Sequence, residues 1–208
     1  MAPLECFRSP SDRIAGAGFL RPILWCVWVS PNYYLGLDFG TSGARAIAID
    51  DRGEIQASIA VSLNAPEARC AWFGLWTAAL EELLTRLDGE IRQHLRAIAI
   101  DGTSASVFFC DRHGQPCGEP LLYNDDRAQV VLERVAEIAP EHHPTRSATS
   151  SLAKLLWLLE LGAIETAMGE TACMLRSPYT FCHQADWLAC QLHGVLGVSD
   201  YNNALKLC

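Results

Sequence analysis

Two apolar segments separated by a short glycine-rich loop constrain the fold of this chain more than any other feature. Residues 33–38 (YYLGLD) and 44–50 (ARAIAID) have the composition of β-strands, and the loop DFGTSGAR spans residues 38–45. A short loop between two such segments predicts a β-hairpin. A turn (DRGE) and a third apolar segment at residues 55–63 follow. The folded part of the chain is therefore predicted to open with three antiparallel strands.

The next segments extend these strands to a mixed sheet. Residues 71–88 place tryptophan, leucine and alanine at helical spacing, which predicts an amphipathic helix packed on the sheet. Residues 95–101 (LRAIAID) predict a buried strand parallel to the first, and residues 105–111 (ASVFFCD) predict a further strand. The order β-β-β-α-β describes the ribonuclease-H-like core of the actin-like ATPase superfamily. The predicted fold class is therefore α/β, with a mixed sheet and added helices.

The second half of the chain is predicted to be mainly helical. Residues 124–139, 151–162 and 177–194 each carry apolar residues at helical spacing, and Gly162 and Gly194 are predicted to end the last two helices. Several large side chains on these elements are expected to pack in the core rather than to catalyse. They are Trp72, Trp76, Trp157, Trp187 and His183.

The loop between the first two strands has the composition of a phosphate-binding loop. Glycines let the backbone approach phosphate oxygens, and the hydroxyls of Thr41 and Ser42 add hydrogen-bond donors. The carboxylate of Asp38, at the end of the strand, is able to hold Mg²⁺ through water. The Walker A pattern is absent. Taken alone, the loop is also open to a simpler interpretation, in which its glycines and serine only form the hairpin turn.

Composition limits the class of protein. Half of the 208 residues are hydrophobic and 19% are charged, which is typical of a globular chain. A net charge of −8 without a basic run argues against nucleic-acid binding. No apolar run reaches the roughly 20 residues that span a membrane. The nine cysteines form no C-x-x-C pair, which favours reduced thiols in the cytoplasm.

Residues 1–32 are predicted to be a poorly structured extension. The stretch FLRPILWCVWVS (19–30) is apolar but is interrupted by Arg21 and Pro22. It is a weak match to the core of a signal peptide, and Asp12 lies in the region that should be basic. Targeting to an organelle or secretion through this segment is the alternative to a cytoplasmic location.

Four segments together resemble one known family. They are LGLDFGTSGARAIAID, AIAIDGTSASVFFCDRHGQP, PLLYNDDRA and HQADWLACQLHGVLGVSDYNNALKL. In this order and spacing they look like the N-terminal domain of the FGGY family of carbohydrate kinases, and most like its D-ribulokinase/xylulokinase branch. The resemblance covers residues 33–208, which leaves only the extension outside it.

The resemblance implies a function and a set of site residues. The family transfers the γ-phosphoryl group of ATP, with Mg²⁺, to a sugar hydroxyl in a cleft between two domains. The residues that match its phosphate- and metal-proximal loop are Asp38, Gly40, Thr41 and Ser42, with Asp38 as the Mg²⁺ position. The residues that match its two substrate-side segments are Asp101, Gly102, Thr103 and Ser104, and Tyr123, Asn124, Asp125 and Arg127. Glycerol kinases carry an Arg-Glu pair where this chain has Ser104 and Ala105, so the implied substrate is a ketopentose, D-ribulose first and D-xylulose second.

Simpler structural roles stay open for two of these residues and for one charged neighbour, Arg45. Asp101 ends a strand, where a carboxylate often caps a turn. Arg127 is also well placed to form an ion pair with Asp125 or Asp126. Arg45 is expected to be a residue of the hairpin rather than a catalytic group.

The catalytic base of the family matches no residue of this chain. By resemblance that carboxylate lies downstream of Cys208, and the ATP-binding C-terminal domain follows it. The chain is therefore expected to be an incomplete, inactive kinase that needs a missing C-terminal half or a homodimeric partner. The alternative is a non-catalytic module that binds a small-molecule sugar or regulates a partner.

Overall fold

The computed structural model describes residues 31–165 and 179–207. The chain divides into two compact units, residues 1–31 and 32–208, and everything described below except Pro31 lies in the second. The predicted extension at residues 1–32 therefore lies outside the described residues, apart from Pro31 and Asn32. Asn32 is tied to the folded unit, because its Nδ2 donates to Asp51 Oδ2 at 3.0 Å and its Oδ1 accepts from Arg96 Nε at 2.5 Å.

The first sheet has the predicted topology. Its strands are β1 (Tyr33–Phe39), β2 (Gly43–Asp50), β3 (Ile55–Ser62) and β4 (Leu95–Gly102). They lie in the order β3-β2-β1-β4, with antiparallel pairs between β1, β2 and β3 and a parallel pair between β1 and β4. The hairpin, the three-stranded meander and the β-β-β-α-β order are confirmed.

One face of this sheet packs against a helix. Buried and exposed side chains alternate strictly along β1, so that Leu35, Leu37 and Phe39 face the core. After a 3₁₀ turn at Arg69–Ala71, the helix α1 (Trp72–Thr85) lies against this face and buries Trp76 and Leu83. The shorter helix α2 (Gly89–Gln93) leads into β4. The amphipathic pattern of residues 71–88 is thereby confirmed as the core helix.

The predicted burial of residues 95–101 is wrong. In the described part of the chain β4 has a neighbour, β1, on one side only, and most of its residues are exposed. Ile98, for example, is 40% exposed. The run of alanine and isoleucine is typical of a strand with neighbours on both sides, but among the described residues no strand pairs with the second edge of β4.

A second sheet packs against the same core. Its strands are β5 (Val107–Cys110), β6 (Pro116–Leu121) and β7 (Thr180–His183), all antiparallel, in the order β6-β5-β7. Four aromatic rings join this sheet to α1, with ring centroids 4.7–6.5 Å apart. They are Phe73, Trp76, Phe108 and Trp187.

The three helices predicted in the second half are present with different bounds. Residues 124–139 form a turn, a 3₁₀ segment at Arg127–Val131 and α3 (Leu132–Ile138). At the turn, the Asp125 carboxylate accepts both from the Arg127 N–H and from arginine side chains. The second helix, α4 (Ser151–Glu165), continues past Gly162.

Residues 177–194 do not form one helix. Thr180–His183 form β7, and α5 (Gln184–His193) begins only after it. Gly194 ends α5 as predicted, in the left-handed conformation with φ 76°. The last helix is α6 (Tyr201–Leu205). Within residues 31–165 and 179–207, none of the helices combines the length and the hydropathy of a membrane-spanning segment.

We predict opposite effects of the same substitution at two glycines. A Cβ on Gly43 would lie 2.9 Å from the Val61 carbonyl oxygen, so Gly43→Ala should push β2 from β3 and destabilise the fold by roughly 1–3 kcal/mol. A Cβ on Gly74, inside α1, would meet no atom within 4 Å. Gly74→Ala should therefore stabilise by about 1 kcal/mol. Urea unfolding of both variants checks this, and equal effects would contradict it.

Candidate functional site

Two helices, α1 and α5, and the loops that follow β1, β3, β4 and β6 border one cavity of about 210 Å³. This volume lies below the roughly 300 Å³ at which pockets for drug-sized ligands begin, so it suits a ligand of sugar size. Its wall combines the rings of two tryptophans and a tyrosine with hydroxyl and amide side chains. The lining residues are Gly40, Thr41, Ala65, Trp72, Trp76, Thr103, Ser106, Leu122, Tyr123, Asn124 and Gln184.

The hairpin loop reaches this cavity through Gly40 and Thr41. The Gly40 N–H donates to the Gly43 carbonyl at 3.0 Å, and the Leu63 N–H donates to the Ser42 carbonyl at 3.0 Å. These two bonds fix the loop between β1 and β2 against the end of β3. The loop therefore presents a preformed backbone to a ligand in the cavity.

Asp38 lies beside the cavity rather than in its wall. It sits between Arg45 on β2 and Asp101 on β4 in the strand register. Arg45 Nη1 lies 3.6 Å from Asp38 Oδ2, but both side chains are more than half exposed, so this ion pair contributes little to stability. Arg45 is thus a residue of the hairpin that forms only a weak ion pair with Asp38.

The residues around Asp38 offer too few ligands to hold Mg²⁺ alone, but they fit an Mg²⁺ ion that is also bound by phosphate. Asp38 and Asp101 end neighbouring strands and offer two carboxylates. Among the described residues, no group of three or more histidine, cysteine or acidic side chains is arranged to hold a metal. Mg²⁺ commonly takes one or two carboxylates and completes its octahedron with waters and substrate phosphates, which matches this donor set.

A short turn after β4 carries polar groups of the cavity wall that are held by several hydrogen bonds. The Thr103 N–H and the Thr103 hydroxyl both contact Gln184 Oε1, at 2.9 and 2.7 Å. Thr103 Oγ1 also lies 2.6 Å from Ser106 Oγ. Asp101 accepts a hydrogen bond from the Gly102 N–H at 2.8 Å, as its turn-capping interpretation predicts. Ser104 does not line the cavity.

A buried lysine connects the two substrate-side segments. Lys154 on α4 is 1% exposed, and its Nζ donates to the carbonyls of Ala105 at 2.7 Å and Leu122 at 2.6 Å. Burial lowers its pKa to about 8. Ala105 holds a left-handed backbone with φ 61°, a conformation that strains a residue with a Cβ. Lys154 therefore stabilises a strained turn and fixes it relative to the segment that carries Tyr123 and Asn124.

Asp125 and Arg127 turn away from the cavity into an ion-pair network. Arg127 donates to both carboxylate oxygens of Asp125 and to Glu119, and Arg69 donates to Asp125 at 2.7 Å. The Arg127 guanidinium also lies 4.9 Å from the centre of the Trp157 ring. Burial alone would raise the pKa of Asp125, but the bonds from Arg127 and Arg69 lower it from 3.8 to about 2. The ion-pair interpretation of Arg127 is thus confirmed, with Asp125 as the partner.

A serine, a histidine and an aspartate form a buried relay at the start of α4 and α5. Ser151 Oγ lies 2.8 Å from His183 Nε2, and His183 Nδ1 lies 3.1 Å from Asp186 Oδ2. Ser151 is completely buried, so no substrate reaches its hydroxyl. The group ties β7, α4 and α5 together, and the prediction that His183 packs rather than catalyses is confirmed.

Comparisons with known proteins show the family of this chain. The sequence model of a protein family, described as "FGGY family of carbohydrate kinases, N-terminal domain", matches residues 33–206. The chain belongs to the FGGY family of carbohydrate kinases. A xylulose kinase of Lactococcus lactis is 30% identical over 144 residues, which are 62% of this chain and 28% of that protein. A glycerol kinase of Verminephrobacter eiseniae is 28% identical over 192 residues, which are 84% of this chain and 36% of that protein.

Solved structures of sugar kinases share the fold of this FGGY-family chain. A gluconate kinase from Lactobacillus acidophilus superposes with a TM-score of 0.64 at 17% identity, over 86% of this chain and 36% of that one. A ligand-bound xylulose kinase from the same species gives 0.62 at 16% identity, over 85% and 36%. The chain thus spans about a third of the length of these kinases.

The motifs of the FGGY family identify about half of the cavity wall. Among the residues predicted from the sequence, five line the cavity: Gly40, Thr41, Thr103, Tyr123 and Asn124. Seven others are not among its lining residues: Asp38, Ser42, Asp101, Gly102, Ser104, Asp125 and Arg127. Sequence reasoning missed Ser106 and Gln184, and it assigned Trp72 and Trp76 to the core alone. The one available signal for Gln184 was a polar residue directly before the apolar pattern of α5.

We predict that Lys154→Met damages both loops of the cavity. The variant leaves the buried Ala105 carbonyl without a donor and removes one of the two donors to the Leu122 carbonyl, which also accepts from the Asp125 N–H at 2.9 Å. The loss should destabilise the chain by roughly 1–3 kcal/mol. Urea unfolding measures this. Lys206→Met is the matched control, because the Lys206 ammonium makes no hydrogen bond with the described residues. A loss below 1 kcal/mol for Lys154→Met would contradict the proposed bridge.

We predict that Asp125 makes the stability of the chain depend on acid pH. Because its pKa is lower in the folded chain than in the unfolded one, the carboxylate stabilises the fold above about pH 4, and this contribution disappears as the pH falls towards 2. Asp125→Asn should lose about 2 kcal/mol at pH 7 and show a flatter pH dependence between pH 4 and 2. The exposed neighbour provides the control, since Asp126→Asn should change neither. The free energy of unfolding is measured with denaturant across this pH range. A variant profile that is as steep as that of the wild type would contradict the role of the network.

Proposed function

We propose that this chain is the sugar-binding part of an ATP-dependent kinase whose substrate is a ketopentose, D-ribulose first and D-xylulose second. One observation carries the proposal. The backbone of the hairpin loop at Gly40 and Thr41 shares a single cavity with Thr103, Tyr123 and Asn124. A phosphate-binding loop beside a small polar pocket is the arrangement that transfer of a phosphoryl group to a sugar requires.

The chemistry of the wall suits a sugar. Trp72 and Trp76 offer apolar ring surface to the C–H groups of a pentose, while the hydroxyl and amide groups of the same wall offer hydrogen bonds to its oxygens. Ser104 and Ala105 replace the charged pair that glycerol kinases carry here, which favours a longer substrate over glycerol. The preference for D-ribulose rests on the forms DGTS and YNDDRA, since the relatives bear the names of xylulose, glycerol and gluconate kinases.

The residues near the cavity also suit ATP phosphates and Mg²⁺. Gly40, Thr41 and Ser42 would hold the γ-phosphate, and Asp38, with Asp101 beside it, would hold Mg²⁺. When bound, Mg²⁺ supplies positive charge to the transferring phosphate. The chain itself binds and orients the sugar. The acceptor of the sugar hydroxyl proton, expected from a carboxylate, is assigned to the part of the kinase beyond this domain.

The compartment of the kinase is proposed from its thiols. Cys110 and Cys182 are buried small residues on neighbouring strands, and burial together with their mutual contact raises the pKa of Cys110. Buried thiols of this kind are typical of a reducing compartment, which supports a cytoplasmic location.

We predict that Asp38→Ala separates binding from transfer. In the full-length gene product, the variant should lose phosphorylation of D-ribulose by Mg-ATP at least 100-fold, because the transferring phosphate loses a carboxylate that places Mg²⁺. D-ribulose binding, measured by calorimetry without nucleotide, should stay within about threefold of the wild type, since Asp38 lies outside the cavity wall. Arg45→Ala is the control and should keep most of the turnover, because its ion pair with Asp38 is weak.

Other outcomes point to other functions. Turnover retained in Asp38→Ala would disprove the role of that carboxylate. D-ribulose binding with no turnover in the wild-type gene product would favour the second candidate, a non-catalytic sugar-binding module. Tighter binding of glycerol than of either ketopentose would overturn the substrate assignment.

A further inference from the structure

We propose that Gln184 determines sugar specificity by donating a hydrogen bond from its side-chain Nε2 to an oxygen of the bound sugar. Gln184 is the first residue of α5 and is not one of the site residues that the resemblance of the sequence implies. The inference rests on the proposed function, because it names a residue that recognises the substrate of that same cavity.

Hydrogen-bond chemistry fixes the orientation of the Gln184 amide. The two ends of a glutamine amide are usually hard to tell apart, but the Thr103 N–H can only donate. Its partner at 2.9 Å must therefore be the carbonyl oxygen, Oε1, which the Thr103 hydroxyl also contacts at 2.7 Å. Since the oxygen faces Thr103, the NH₂ group faces the opposite way.

The hydroxyls of the turn complete an ordered chain of donors. The Thr103 hydroxyl has one hydrogen, and Oε1 accepts it. The contact of 2.6 Å between Thr103 Oγ1 and Ser106 Oγ must then be donated by Ser106. The chain runs from Ser106 through Thr103 to Gln184, and such chains polarise one another. The amide is consequently held in one state before any ligand arrives.

The NH₂ group of Gln184 is left for a ligand. The residue is 1% exposed, and both of its side-chain contacts within the described residues use Oε1. In the described part of the chain, no fully enclosed side-chain nitrogen or oxygen lacks a partner, so Nε2 must reach open space. Gln184 lines the cavity. A donor this deeply buried, aimed into a cavity and without an acceptor, indicates a ligand oxygen.

The surrounding backbone holds the side chain in place. The Gln184 N–H donates to the Ser106 carbonyl at 2.9 Å, so main chain and side chain both bind the same turn. A Cβ at position 102 would lie 2.9 Å from Oε1, and the glycine there leaves the room that Gln184 occupies. This explains one residue of the DGTS motif without a direct contact between Gly102 and the sugar.

The chemistry of Nε2 defines what it recognises. An NH₂ group only donates, so it requires an acceptor on the sugar, either a keto oxygen or the lone pair of a hydroxyl. A site built around such a donor discriminates against an analogue that lacks the oxygen, because the donor would stay buried and unpaired. Gln184 would thus select sugars by the presence of one oxygen beside the tryptophan wall.

The test replaces the donor and keeps the acceptor. At pH 8, Gln184→Glu retains an oxygen for Thr103 but removes both N–H groups. Calorimetric titration of the chain with D-ribulose should show at least tenfold weaker binding for Gln184→Glu. Gln191→Glu makes the same change on an exposed position of α5, and it should bind within twofold of the wild type.

The outcomes separate this inference from the proposed function. If the wild type binds D-ribulose and Gln184→Glu binds it equally well, the role of Gln184 is wrong while the sugar-binding function stands. If the wild type binds neither ketopentose, both fall. Should Gln184→Glu fail to fold, the side-chain amide signals of Gln184 in the ¹⁵N spectrum of the wild-type chain provide the second test. They should shift on addition of D-ribulose, and unmoved signals in the presence of bound sugar would overturn the inference.

Discussion

Packing among four aromatic rings is the constraint on which the rest of the structure depends. Phe73 and Trp76 on α1 contact Phe108 on β5 and Trp187 on α5, mostly in edge-to-face pairs. These contacts fix the first sheet and its helix against the second sheet. The cavity lies along this junction, and Trp76 belongs to both. The same ring thus stabilises the core and forms part of the wall for a ligand.

Local patterns in the sequence predicted the elements that local physics controls. The apolar segment at β1 and the helical spacing in α1 reflect the one face that each element buries, and both elements were predicted correctly. The burial of β4 was wrong because an apolar run reports composition, whereas exposure depends on neighbours. β6 was missed since Pro116, Gly118 and Pro120 hide its strand pattern, and β7 was read as part of a helix because it is only four residues long.

The site was predictable to the extent that a motif lies in one stretch of chain. Gly40 and Thr41 followed from the hairpin loop, and Thr103, Tyr123 and Asn124 followed from two short segments. Lys154 and Gln184 reach the same loops from α4 and α5, so only the tertiary structure reveals them. Asp125 and Arg127 show the converse, because a pair that suits substrate binding in sequence is satisfied internally by the network with Arg69 and Glu119.

The separation along the chain between the two sides of the cavity has a consequence for folding. Thr103 and Gln184 are 81 residues apart, whereas β1, β2 and β3 pair through short turns. Contacts between distant residues must overcome the entropy of closing a long loop, so they tend to form late. We expect the first sheet to form early and α5 to dock last. Partial unfolding would then release α5 and open the cavity while the hairpin is still intact. A sugar bound in the cavity would stabilise the docked position of α5 against this partial unfolding.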